Sequence, residues 1–445
     1  MAPIPEYVLL ALYHLLFFWP IYSKLFRQAT SEVISTFFPH WIWIGRKLRK
    51  RETWLEDRIY YQYPGAIPFL SSFYPPHLLS AFLSAFLSLD NSFILHRLTI
   101  NLHYLLGSIL SFILFSGWTS PEIALFGAIT LTYAAYMLKI QPCIVYTINW
   151  IPGILLGGGI GSLSLGMAIL GGYWPLLIYF IPFAGLAYLH WNYALWPFLL
   201  GFLIGLPQII PFLWYFPKSV RAKKTKNPGT FGKVPISRFL NLIWPDNQTK
   251  YINGVLSQEM ALYIGLIPLI FALQSISLAW WSLLIAGLGM IGLIPNIGRI
   301  PARWCHLFTF SLVWLAVDGL TRSNLTDCVL WGLILLQAAS LLRNRTYMSY
   351  WPFTEWWKRP SEWWGARPSL SNSIGRVPNL RFPYFTGYVN ETRTLGYTGG
   401  FALHSLCQFH GVWNERVQSC ENERFLSGEF KGSILEELQC LTQAN

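Results

Sequence analysis

A chain of 445 residues that is 53% hydrophobic and only 12% charged is not composed like a water-soluble domain, in which about a quarter of residues carry charge. Its 32 Lys and Arg outweigh 20 Asp and Glu, giving a formal net charge of +12. These basic residues cluster between hydrophobic runs, which points to lipid headgroups or a lipid phosphate and away from nucleic acid.

The composition predicts an all-α, polytopic integral membrane protein. The first apolar run covers residues 7–22 and reads as a retained span, because it has neither a basic leader nor a small-residue cleavage site. A polar and aromatic loop follows at residues 23–75. Further apolar runs are expected at 76–89, 98–118, 121–138, 151–170, 174–189 and 191–216. A basic loop interrupts at 217–258, and runs resume at 260–278, 280–294, 305–317 and 329–342. The length rule gives roughly 10 to 12 spans. The glycine-rich run "LLGGGIGSLSLGMAILGG" is suited to close helix approach. Residues 1–342 therefore read as a transmembrane domain. Residues 343–445 read as a tryptophan-rich interfacial segment followed by a polar, extracytoplasmic tail.

Chemistry in such a chain is sought among its few acids and its basic clusters. Glu32 is a lone carboxylate just past the first span, in "QATSEVISTFFPHW". A carboxylate at a membrane surface is either solvated or acts as a general base or substrate ligand. The stretch "WIWIGRKLRKRETWLEDRIYY" carries Arg46, Arg49 and Arg51 among aromatic residues and reads as an interfacial amphipathic helix. It either anchors to anionic lipid or cradles the phosphate of a lipid-linked substrate, to which guanidinium groups bind bidentately. Lys218 and Arg221 open the second basic loop, which is either solvated or a second phosphate contact. Eight Lys and Arg in residues 23–58 would place that loop in the cytoplasm by the positive-inside rule, unless they are retained outside to hold phosphate. Asp318 and Asp327 flank "DGLTRSNLTD", which reads as a polar loop and not a proton path. His103 and His190 lie in apolar runs and read as packing residues. No metal-ligand spacing, P-loop or nucleophile triad is present in the sequence.

Several blocks, in order, resemble the YfhO-type bacterial membrane proteins. They are the Glu32 loop with its aromatic-Pro pair, "YPGAIPFLSSFYPPHLLSAFL", "LIGLPQIIPFLWYFPKSVR", "FLNLIWPDNQ", "YIGLIPLIFAL" and "VPNLRFPYFTGYVNETRTLGYTGG", together covering most of residues 31–400. That family is similar to the GT-C class of integral-membrane glycosyltransferases. The resemblance implies a multi-pass protein of the bacterial cytoplasmic membrane. Such a protein would move a sugar from a polyprenyl-phosphate donor to a cell-envelope glycan or glycolipid acceptor. It also implies that Glu32 stands where the family has the Asp that serves as base or acceptor-orienting group. The phosphate would then fall to Arg46, Arg49, Arg51, Lys218 and Arg221. No metal ligand is implied, and a divalent cation stays open as a requirement of the reaction. The chain has no apolar run after residue 342, so the resemblance is to a shortened member. The rival expectation is a non-catalytic membrane protein: a degenerate homologue, a lipid-binding scaffold or a transporter.

Overall fold

The computed structural model describes residues 5–22, 41, 44–45, 48–51, 71–138, 142–215, 232–245, 251–252, 255–256, 260–294 and 301–348. The described residues are helical apart from turns, extended connections and one antiparallel pair of two-residue strands, Tyr251–Ile252 and Val255–Leu256. In chain order the α-helices are α1 (Glu6–Tyr22), α2 (Pro75–Ser84), α3 (Leu89–Ser116), α4 (Pro121–Tyr133), α5 (Pro142–Ile148), α6 (Ile151–Ile154) and α7 (Gly158–Gly171). There follow α8 (Trp174–His190), α9 (Trp196–Tyr215), α10 (Leu266–Ala272), α11 (Ala279–Met290), α12 (Cys305–Arg322) and α13 (Asp327–Met348). Short 3₁₀ turns occupy Ile236–Leu242 and Pro301–Trp304.

Three stretches are long and apolar enough to cross a membrane: Asn91–Ser116, Trp196–Leu213 and Pro301–Arg322. Shorter apolar helices lie at Glu6–Trp19, Cys143–Ile154, Gly158–Gly171, Trp174–His190 and Ala279–Met290. Several expected runs are thus broken where the sequence reading drew one span. The run at 151–170 is interrupted between α6 and α7, and the run at 260–278 is helical only over α10. The "DGLTRSNLTD" loop is also corrected. Helix α12 continues through Asp318 to Arg322, because Asp318 is spent inside the protein. Arg322 Nε donates to Asp318 Oδ2 at 3.0 Å, and Ser275 Oγ donates to the same oxygen at 2.6 Å.

The chain forms two compact units. One lies within Met1–Ser23, Ile100–Leu206 and Lys226–Trp351, and the other includes Lys24–Thr99 and Pro207–Thr225. In the first unit α12 is central: its apolar window is 89% buried, against 22% for Trp196–Leu213 of α9. Helix α4 packs on it, and it starts cleanly because Ser120 Oγ accepts from the Ile123 amide and Pro121 opens the first turn, where it needs no donor. Trp314 of α12 stacks on Trp118 at 5.2 Å and on Trp191 at 5.6 Å, which gathers the ends of α3 and α8. Within the glycine-rich run, close approach is seen at Gly166, where a Cβ would meet the Ile204 side chain of α9, whereas Gly158 and Gly159 have open space around them.

The non-helical segment before α10 is buried, and its backbone groups find fixed partners. The Tyr263 carbonyl accepts from the Ala135 amide at 2.9 Å, and the amides of Ile264 and Gly265 both donate to the Leu242 carbonyl. Gln337 Nε2 of α13 donates to the Ile264 carbonyl at 2.8 Å. Gly265 then turns the chain into α10 with a φ of 94°, which residues with a Cβ adopt only under strain. Around it, Tyr263 Oη is shared by Ser340 Oγ at 2.6 Å and Asn344 Nδ2 at 2.8 Å. Tyr13 Oη donates to the Ala338 carbonyl at 3.0 Å, tying α1 to the same helix.

Close backbone contact between α10 and α12 makes a clear test. A Cβ on Gly319 would overlap the Phe271 carbonyl oxygen, whereas a Cβ on Gly185 meets nothing within 4 Å. Gly319→Ala should destabilise the protein by about 1–3 kcal/mol, read as a lower thermal midpoint in detergent. Gly185→Ala should leave that midpoint unchanged or slightly raised.

Candidate functional site

The second unit holds a dense group of buried polar side chains. Helices α2 and α3 form a hairpin through the turn at 85–88. Helix α2 begins with two prolines after Tyr74, and its last carbonyls are closed by local bonds from the Ala85 amide. One side chain joins the hairpin arms: Ser92 Oγ donates to the Ser84 carbonyl at 3.0 Å, while Ser84 Oγ bonds back within α2 to the Ala81 carbonyl at 2.6 Å. His77, His96 and Arg97 are all buried on this hairpin, with Arg97 only 6% exposed. The guanidinium of Arg97 lies over the Phe93 ring one turn back, 5.1 Å being the corresponding distance for Arg49 over Phe86 and 5.6 Å that for Arg97.

Trp41, Gly45 and Arg49 lie against this hairpin. Trp41 is fully buried, its Nε1 donates to Ser80 Oγ at 3.1 Å, and its ring meets His96 edge-on at 5.0 Å. Ser80 Oγ in turn donates to the His77 carbonyl at 3.0 Å. Gly45 is required here, because a Cβ would run into the Ala81 carbonyl oxygen and Ser84 Oγ. The expectation that the aromatic residues of this stretch lie in the bilayer surface is therefore corrected for Trp41. It faces the protein, since the missing Cβ at Gly45 lets the backbone approach α2 and the indole N–H finds an internal acceptor.

The phosphate candidates fare differently. Arg49 Nη1 donates to the Ala85 carbonyl at 2.8 Å while the guanidinium lies over Phe86, so this residue caps the end of α2 and covers an aromatic ring. Arg51 is exposed at a tight turn, with a φ of 59° and its amide donating to the Leu48 carbonyl. Glu32, Arg46, Lys218 and Arg221 lie outside the described residues, as do residues 349–445 of the expected tail. The residue that the sequence reading passed over is Arg97. Its signal was legible: a single cation inside the apolar run "FILHRLTINLHYLLG".

Other buried polar groups serve packing. His103 lies against Tyr146 at 4.4 Å, as expected for a packing histidine, whereas His190 is exposed at the end of α8. His14 Nδ1 is 3.1 Å from Tyr133 Oη, and His306 sits among the rings of Tyr136 and Phe180. Among the described residues no three His, Cys, Asp or Glu side chains come together as a metal-binding group.

The Arg97 guanidinium and the His77 and His96 imidazoles are thus all held in buried, low-dielectric surroundings on α2 and α3. No family model matches the chain, and no curated protein or solved structure matches it.

The Trp41 bond gives a direct check on how this segment is held. Trp41→Phe keeps a ring but removes the donor to Ser80, and should cost about 1 kcal/mol of stability. Trp41→Ala should cost about 3–5 kcal/mol through the cavity it leaves. Chemical denaturation in mixed micelles measures both.

Proposed function

We propose that this chain is a multi-pass membrane protein acting on a lipid-linked phosphate, in the manner of the GT-C-like glycosyltransferases that its sequence resembles. The observation that carries the reading is Arg97: a buried cation in a helix long and apolar enough to cross a membrane. A charge in such a helix is costly and marks a substrate or ion path more often than a packing need. A guanidinium suits phosphate oxygens, with which it forms parallel, charge-assisted bonds.

The chemistry would run as an inverting transfer. Glu32, as general base, takes the proton from the acceptor hydroxyl as its oxygen attacks the anomeric carbon. The bond from that carbon to the polyprenyl-phosphate oxygen breaks, and positive charge stabilises the departing phosphate. Arg97 joins Arg46, Arg51, Lys218 and Arg221 as the donors assigned to that phosphate. Arg49 leaves the set, since its guanidinium is already used at the end of α2.

A second reading is a non-catalytic protein that holds a lipid phosphate without turning it over. The use of Arg49 as a helix cap favours it, because it shows that at least one of the basic residues in that segment serves structure.

Four variants in membranes or nanodiscs separate the readings. Transfer of sugar from the polyprenyl-phosphate pool to envelope glycan should fall by about 100-fold or more in Glu32→Gln and be retained in Glu32→Asp. Arg97→Gln should raise the donor KM and lower kcat, with Arg97→Lys recovering part of both. If wild type binds the donor lipid without turnover, and Arg97→Gln loses that binding while Glu32→Gln keeps it, the non-catalytic reading replaces the first.

A further inference from the structure

The segment around Ile236–Leu242 has a surface that the reading of residues 217–258 as a basic loop does not explain. Ile236 is 76% exposed, Leu240 71% and Trp244 79%, with Ile243 beside them. Such a stripe sits poorly in a water-facing loop, because three large apolar residues in nine positions would stand against solvent. Nor is the segment loose. The Val234 amide donates to the Met290 carbonyl at the end of α11 at 2.9 Å, and the Leu242 carbonyl accepts from both Ile264 and Gly265. The Ala302 amide donates to the Gly232 carbonyl, and the Phe239 ring packs edge-on against Phe308 of α12 at 5.5 Å. One side of the turn is thus stapled to the bundle while the apolar stripe is held outward.

We propose that residues 236–244 dock in the interfacial layer of a bilayer, with Ile236, Leu240, Ile243 and Trp244 entering the headgroup–acyl boundary and Lys233 and Arg238 reaching lipid phosphates. Three features identify a bilayer as the occupant. Two basic residues, Lys233 and Arg238, are set among apolar ones in "KVPISRFLNLIW", a composition suited to a segment that lies along an anionic surface. Trp244 is an aromatic residue of the type enriched at that depth. The stripe also continues an apolar exterior, since Leu293 in the turn after α11 is exposed and the Gly292 backbone runs against the Lys233 side chain. Within the turn the Phe239 ring packs on Phe308 while Leu240 and Ile243 face out.

This inference rests on the membrane reading above but not on its chemistry. The experiment uses the full chain in nanodiscs of phosphatidylcholine with phosphatidylglycerol. A benzophenone amino acid is placed singly at Leu240, at Trp244 or at Leu203 of α9, irradiated, and the adducts identified by mass spectrometry. Lipid adducts at Leu240 and Trp244 with yields within about threefold of that at Leu203 are expected. Lys233→Gln with Arg238→Gln should then lower the phosphatidylglycerol share of the Leu240 adduct by at least about twofold. Lipid adducts at Leu203 alone, or protein adducts at Leu240 and Trp244 from a second copy or another chain segment, overturn the docking proposal and leave the membrane reading intact. No lipid adduct at any of the three positions overturns both.

Discussion

A buried stretch of backbone that is not helical is the constraint around which the first unit is arranged. Peptide groups taken away from water must be bonded, and a helix does this for itself. The segment at 260–265 cannot, so it draws its partners from three other places in the chain: Ala135, Leu242 and Gln337. Each partner fixes an element. Ala135 follows α4, Leu242 ends the 3₁₀ turn, and Gln337 is in the body of α13. The hydroxyl of Tyr263 then gathers Ser340 and Asn344 from the same helix. Loss of any one bond would strand a buried donor or acceptor, which is why polar residues persist in an otherwise apolar helix.

The second unit handles its polar load by a different means. There the burden is charge and imidazole, carried on one helical hairpin and enclosed by a single indole and a glycine. Trp41 contributes both an apolar wall and an N–H bond, while Gly45 contributes only the absence of a side chain. Packing of this kind sets the Arg97 guanidinium over Phe93, as it sets that of Arg49 over Phe86.

How much of this could be read from the residues alone varies by the kind of signal. The all-α character follows from apolar run lengths, and a close helix approach follows from the glycine-rich run, though α9 as the neighbour at Gly166 does not. The ends of α12 did not, because Asp318 looks like a loop residue until Ser275 and Arg322 are seen around it. The break before α10 was hidden for a related reason: "MALYIGLIPLIFAL" is uniformly apolar, and hydropathy does not distinguish a buried extended strand from a buried helix. Trp41 looked interfacial because nothing in its neighbours announces an acceptor 39 positions away. Arg97 was visible as a lone cation in an apolar run, yet acids drew the attention that it merited. For Glu32 and the basic loop at Lys218 and Arg221, the sequence and its resemblance carry the assignment by themselves.

The stacked indoles have an optical consequence. Trp118, Trp314 and Trp191 form a column whose neighbouring ring planes lie within 27° of parallel. Indole rings stacked at these separations should couple excitonically, in a column drawn from the ends of α3 and α8 and the body of α12. Its exciton band in circular dichroism would exist only while α3, α8 and α12 are assembled. The protein thus carries a native gauge of its own tertiary assembly, distinct from the far-ultraviolet signal of its helices.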